Sequence, residues 1–254
     1  MAQDLNLGRY QPVTDDQIVL YHRPELAEDA RRYEAWCQLV SISAAPAVSQ
    51  PALYLDHRGM WLCTPGYTQP YQPADAEIQR RANSRVPTDL VRACGVQLEG
   101  RRVLDACAGF GSDGLLLAQR GAKVSLVERQ RLIWIMLAER ARHIANAATI
   151  CAEAMQVLDD HDRHAGSWDV VLLDPMFPPT NKRALPNRGL QHLRELTAPF
   201  EPEQEDLLPL LAQSRQRCTG RVVLKRRLKD SVLARPDFQI KAKSVRFDVY
   251  AGLA

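Results

Sequence analysis

Val103-Leu104-Asp105-Ala106-Cys107-Ala108-Gly109-Phe110-Gly111-Ser112-Asp113-Gly114 is the stretch on which the fold turns. An apolar run ends in an acidic residue, a Gly-x-Gly turn follows, and Gly114 to Gln119 reads as a helix. Such a strand–turn–helix unit points backbone N–H groups at a ligand beside a helix N-terminus, the usual seat of a nucleotide-like cofactor. Glycine is needed at the bend because the chain must turn sharply and lie flush against the ligand, where a Cβ would intrude.

Two cofactors fit the spacing. Gly109-x-Gly111-x-x-Gly114 satisfies the dinucleotide fingerprint and predicts an NAD-type oxidoreductase. The pattern Asp/Glu-x-Gly-x-Gly-x-Gly of class I S-adenosylmethionine (SAM) methyltransferases also fits. In that alignment Asp105 is the acid, Cys107 replaces the first glycine, and Gly109 and Gly111 are the other two. The acid favours the second fit, since a carboxylate at the strand end repels a pyrophosphate but attracts the ammonium and sulfonium of SAM. Downstream, Ala122 to Val127 alternates and runs into Glu128-Arg129, with Glu128 19 residues after Gly109. A carboxylate at about that distance accepts from ribose hydroxyls, which both cofactors carry.

Trp168-Asp169-Val170-Val171-Leu172-Leu173-Asp174-Pro175-Met176-Phe177-Pro178-Pro179 separates the two. A buried-type strand enters a loop like the Asp/Asn-Pro-Pro-Tyr/Phe loop of enzymes that methylate exocyclic amines on planar rings. Such an amine is a poor nucleophile because its lone pair is delocalised into the ring. A carboxylate (Asp174) and a backbone carbonyl accepting its two N–H bonds make the nitrogen more tetrahedral and aim the lone pair. Pro175 stiffens the loop without adding a donor, and Phe177 is placed to stack on the base. Methyl transfer then needs in-line positioning and a matched electrostatic site, with no metal.

Together these segments resemble the ribosomal small-subunit methyltransferase J family, which makes N2-methylguanosine in 16S ribosomal RNA. The likeness runs from about Val103 to the C-terminus. It rests on Leu104 to Asp113, Leu126 to Arg129, Leu173 to Pro178, Val223 to Arg226 and Arg-Phe-Asp-Val-Tyr-Ala-Gly at Arg246 to Gly252. The resemblance implies an α/β fold, a Rossmann-like, mostly parallel seven-stranded sheet, with SAM as cofactor. It also implies site residues. The family's Arg-Asp pair falls on Ser112 and Asp113, its Glu-Arg pair on Glu128 and Arg129, its Ser-Ser pair on Glu153 and Ala154, and its catalytic-loop aspartate on Asp174. Ser112, Glu153 and Ala154 depart from the family pattern. So does Gln79 to Arg85, where a basic, glycine-rich segment is expected and arginines stand without glycines. An RNA-binding relative that has lost catalysis is the non-enzymatic alternative, and it would show no SAM affinity.

The 254 residues, 46% hydrophobic and 25% charged, suit a globular α/β domain with an appendage. We expect a small α+β domain over residues 1–78 and the methyltransferase domain over 79–254. The latter begins with a helix near Ala76–Gly95 and ends in an antiparallel pair at Ile240–Ser244 and Val245–Tyr250. The Leu132–Leu137 run, apolar all round, reads as a buried helix. The loop from Pro178 to about Leu193, polar and basic, reads as a lid over the base. The net charge of +3 conceals an asymmetry: residues 1–79 hold 10 Asp/Glu and 5 Lys/Arg, residues 215–254 hold 3 and 11. A ribosomal RNA or small-subunit partner fits that basic end. The RNA-contact candidates are Arg80, Arg81, Arg85, Lys182, Arg183, Arg188, Lys225, Arg226, Arg227 and Lys229, with strand capping the alternative for Lys225. The scattered cysteines show no C-x-x-C spacing, so reduced thiols and no zinc are expected. The N-terminus lacks the layout of a signal peptide and no apolar run approaches membrane-spanning length, which predicts a cytoplasmic protein without membrane attachment. His143, His161, His164 and His192 read as surface or satisfied residues.

Overall fold

The computed structural model describes residues 18–160, 168–176, 187–197 and 207–254. A four-stranded sheet comes first. It contains β1 (Ile18–His22), β2 (Cys37–Ser41), β3 (Ala52–Asp56) and β4 (Gly59–Cys63) in the order β2-β1-β3-β4, with the short α1 (Ala27–Ala30) between β1 and β2. β1 runs parallel to β2 and β3, and β4 closes an antiparallel hairpin on β3.

Helices α2 (Asp75–Ala82) and α3 (Asp89–Cys94) then lead into the main sheet. The sequence suggested one helix here. The chain breaks it at Val86-Pro87, because proline lacks the N–H that the helix needs and disfavours a helical residue before it. Thr88 restarts the helix by accepting from the Val91 N–H at 3.3 Å.

Strict alternation follows: β5 (Arg102–Asp105), α4 (Ser112–Gln119), β6 (Lys123–Glu128), α5 (Arg131–Ala141), β7 (Ala147–Cys151), α6 (Ala154–Asp159) and β8 (Trp168–Leu173). The chain continues with α7 (Arg188–Thr197), α8 (Leu207–Gln216), β9 (Cys218–Arg227), β10 (Phe238–Lys241) and β11 (Val245–Ala251). The seven strands order as β10-β11-β9-β8-β5-β6-β7. β5 to β9 are parallel, and β11 lies antiparallel between β9 and β10. This is the class I methyltransferase sheet. Its strand order reverses between β5 and β8, and ligands settle at the carboxyl ends of strands at such a switch point.

α5 is apolar all round because both sides of it are covered. Ile133, Trp134, Ile135 and Met136 are buried in one cluster with Leu53, Leu55, Met60 and Leu62 of the small sheet, while Leu137 packs with the main-sheet core. Trp36 meets Trp134 edge-on at 5.3 Å. α4 lies so close to β5 and β6 that a Cβ on Gly114 would run into Leu126 and Asp105. The expected lid loop is partly helical, since α7 already begins at Arg188; residues 177–186 lie outside the described residues.

Candidate active site at the carboxyl edge of the sheet

Four carboxylates and one ammonium converge where the strand order reverses. β5 delivers Asp105, which is 2% exposed, and β6 delivers Glu128 at 9%. Asp113 stands in the first turn of α4, Asp174 follows β8 directly, and Lys225 comes from β9. Between β5 and α4 the chain turns through two left-handed residues, Gly109 (φ 54°) and Gly111 (φ 80°), the conformation glycine adopts without strain. The turn is pinned from both sides: the Ala106 N–H donates to Leu172 O and the Ala108 N–H to Val127 O, each at 2.9 Å.

Glu128 braces this turn from behind. Its Oε2 accepts from the Gly109 N–H at 3.0 Å and its Oε1 from the Gln130 N–H at 2.7 Å. Asp105 Oδ1 accepts from the Cys107 N–H at 3.4 Å. In front, Lys225 Nζ donates to Asp113 Oδ2 and Asp174 Oδ2, both at 2.7 Å, while Arg81 of α2 approaches Asp113 Oδ1 at 3.7 Å.

Burial leaves this edge under electrostatic tension. It pushes Asp105 up to about 8, reinforced by the charges of Asp113 and Asp174. It pushes Glu128 up to about 7 against the backbone donors that favour its charged form. Asp174 is also raised, burial and Asp113 together outweighing Lys225. Asp113 alone of the four is held below its ordinary value: burial opposes its charge, but Lys225 and Arg81 together prevail. Lys225 is likewise desolvated, yet two carboxylates drive it well above the ordinary lysine range. Perturbed carboxyl groups crowded at a switch point mark a candidate ligand site, and a cationic ligand would favour the charged forms that burial disfavours. The ammonium and sulfonium of SAM fit that donor set, whereas a dinucleotide pyrophosphate would meet the same carboxylates as repulsion.

The remaining candidates fall into three places. Ser112 is exposed at the start of α4, and Pro175 is buried behind Asp174. Arg129 lies 3.8 Å from Glu153, which precedes Ala154 at the start of α6, so the pair that departs from the family pattern sits beside the Glu-Arg pair that keeps it. Phe177, Lys182 and Arg183 lie outside the described residues, as do His161 and His164. Among the basic candidates, Arg80, Arg85 and Lys229 are exposed. Arg227 is half-buried at the end of β9. Arg226 is only 16% exposed and lies 3.9 Å from Asp230. Arg188 covers the rings of Tyr67 and Tyr71 at 5.5 and 6.0 Å. Lys225, expected to contact phosphate or cap the strand, has its ammonium turned inward onto two carboxylates.

One group of neighbours escaped the sequence reading. α7 lays Leu193 against Gly109, and Tyr71 packs on Phe110 of the glycine turn with ring centres 5.6 Å apart. His192 is not a surface residue. It is fully buried between Tyr67 and Tyr71, and its Nδ1 lies 3.3 Å from Thr64 Oγ1. Burial, then Arg188, holds it below the ordinary histidine value. Thr64 is 128 residues away along the chain, and no local pattern signals such a contact.

Comparison with known proteins agrees with this geometry. The family model of SAM-dependent methyltransferases (SAM_MT) matches residues 71–252. The ribosomal RNA small subunit methyltransferase J of Alkalilimnicola ehrlichii is 37% identical over 230 residues, covering 80% of this chain and 84% of that protein. The chain belongs to the ribosomal RNA small subunit methyltransferase J family. The member from Pseudomonas aeruginosa is 32% identical over 89% of this chain and 91% of its own length, and that from Hahella chejuensis 32% over 93% and 96%. Among solved structures, the SAM-dependent methyltransferase NGO1261 of Neisseria gonorrhoeae shares the fold with a TM-score of 0.69 and 24% identity, covering 91% of this chain and 95% of that one. Family membership excludes the NAD-type oxidoreductase. No described helix is long and apolar enough to cross a membrane, and no metal-binding group occurs among the described residues.

Proposed function

We propose that the protein methylates the exocyclic N2 amine of a guanosine in small-subunit ribosomal RNA, with Asp174 as the residue that receives the amine. The observation that carries the reading is the position of Asp174. It leaves β8 beside the strand-order reversal, with one oxygen held by Lys225 and the glycine turn alongside, in a chain of the methyltransferase J family.

SAM, when bound, supplies the electrophilic methyl group and keeps the C–S electron pair on its sulfur. Asp105 and Asp113 face its cationic methionine end, and Glu128, with Arg129 beside it, faces the ribose. Ser112, Glu153 and Ala154 border the same pocket. Asp174 Oδ1 and the Pro175 carbonyl accept the two N–H bonds of the amine and so localise its lone pair along the line of transfer. Phe177 stacks on the base. The amine gives up its proton to Asp174 or to water. The exposed Arg80 and Arg85, with Lys182, Arg183 and Arg188, contact phosphates of the substrate. The small sheet shares a core with α5 and serves as an appendage of the catalytic domain, and the protein works in the cytoplasm, where its ribosomal substrate is.

The test is methyl transfer from labelled SAM to small subunits and free ribosomal RNA from cells lacking this protein, followed by nucleoside analysis. Label should appear in N2-methylguanosine and fall by roughly 10²- to 10³-fold in Asp174→Ala. SAM binding without label in ribosomal RNA would overturn the substrate assignment.

A further inference from the structure

Strand register carries Lys225 into the carboxylate edge. β8 and β9 run parallel with Leu173 opposite Leu224, so Asp174, just past the end of β8, lies beside Lys225, still within β9. The Lys225 side chain is 21% exposed, Asp174 28% and Asp113 14%. An ammonium has three donors and no acceptor, and two of those donors are already engaged here by carboxylates.

We propose that Lys225 is a positioning residue for the methyl transfer: it grips Asp174 by Oδ2, leaves Oδ1 to accept from the substrate amine, and fixes that carboxylate against Asp113 on the cofactor-side helix. The inference rests on the assignment of Asp174 to the amine. A carboxylate held by one oxygen has its rotation fixed, so the other oxygen points in a defined direction.

The charges around Asp174 explain why a cation is needed there. Asp113 on α4 and Asp105 on β5 face it with like charge, and Arg81 on α2 reaches only Asp113. Removing Lys225 therefore leaves Asp113 with a cation and Asp174 among carboxylates. Burial and Asp113 already raise the Asp174 carboxyl, and without Lys225 to oppose them its protonated form is favoured further. A protonated carboxyl can neither accept strongly from the amine nor receive its proton.

The test compares Lys225→Met, Lys225→Arg and Asp174→Ala in the full-length protein. Lys225→Met should lower kcat about 10- to 100-fold at pH 7. It should also move the acidic limb of the kcat profile upward by roughly one pH unit, so that activity recovers as pH rises. Lys225→Arg should restore most of kcat and return the limb to its wild-type position. In ligand-free protein, ¹³C NMR of the Asp174 carboxyl should show titration at higher pH in Lys225→Met than in wild type. An unmoved limb and an unmoved carboxyl titration would overturn the proposal. So would a rise in RNA KM with kcat intact, which would make Lys225 a phosphate contact. Full methyl transfer by Asp174→Ala, which leaves no side-chain acceptor, would instead remove the underlying assignment, whatever Lys225→Met does.

Discussion

Neighbouring strands of the main sheet carry two ion clusters of opposite design. In β11 Arg246 and Asp248 are 3% and 0% exposed, and their side chains meet at 2.9 to 3.2 Å. The guanidinium also donates to the carbonyls of Arg227, Leu228, Asp230 and Ser231, and Gln239 donates to Asp248. Charge is balanced and the donors have acceptors. In β9 Lys225 faces Asp113 and Asp174, with Asp105 close by, so carboxyl groups outnumber the cations Lys225 and Arg81. Register puts Arg246 opposite Arg226 and Phe247 opposite Lys225, so the two clusters occupy opposite faces of one sheet. A closed, neutral network specifies a fold, whereas an open one with surplus charge and shifted carboxylates has a place for something else.

Breaking the closed cluster should have the largest effect on stability. Asp248→Ala strands a buried guanidinium and should cost about 3–5 kcal/mol in denaturant unfolding. Asp113→Asn on the open face should cost far less, because Lys225 keeps Asp174 as its partner and no cation is left buried without a carboxylate. Equal losses would dissolve the distinction.

The second effect is on pH dependence. Glu128 and Asp105 are pushed to about 7 and 8, above their ordinary values of 4.5 and 3.8. Folding therefore favours their protonated forms. Their contribution to stability is full below the ordinary values and is lost as pH climbs toward 8. A cationic ligand reverses this preference. SAM affinity should rise several-fold from about pH 6 to about pH 7.5 while the melting temperature of the ligand-free protein falls. Calorimetry and thermal unfolding at matched ionic strength measure the two slopes, and parallel slopes would contradict the open-cluster reading.

The smallest effect belongs to the exposed rim. Arg85→Ala should weaken RNA binding a few-fold and reduce the salt slope by about 1, with SAM affinity unchanged.

Local order made much of the fold legible in the sequence. The glycine turn, the alternating strands and the acids at the ends of β5, β6 and β8 repeat a βα period that sequence carries directly, and Glu128 and Asp174 stand out in it. Helix α5 announced its double burial by lacking a polar face. Less visible were contacts that only tertiary folding creates. Lys225 reads as one basic residue in the run Lys225-Arg226-Arg227, and only the β8–β9 register turns it inward while Arg226 takes the other face. His192, Leu193 and Tyr71 meet the glycine turn across long separations, and no spacing rule links them. The split at Pro87 was legible but was missed, because helical periodicity on both sides masked the break.

The carboxyl edge of the sheet is built for a cationic cofactor. Its most direct test is a calorimetric titration of the wild-type protein with SAM and, separately, with NADH at pH 7.5. Saturable one-to-one binding of SAM and no binding of NADH is the predicted result. Binding of NADH in preference to SAM, or of neither, would contradict it.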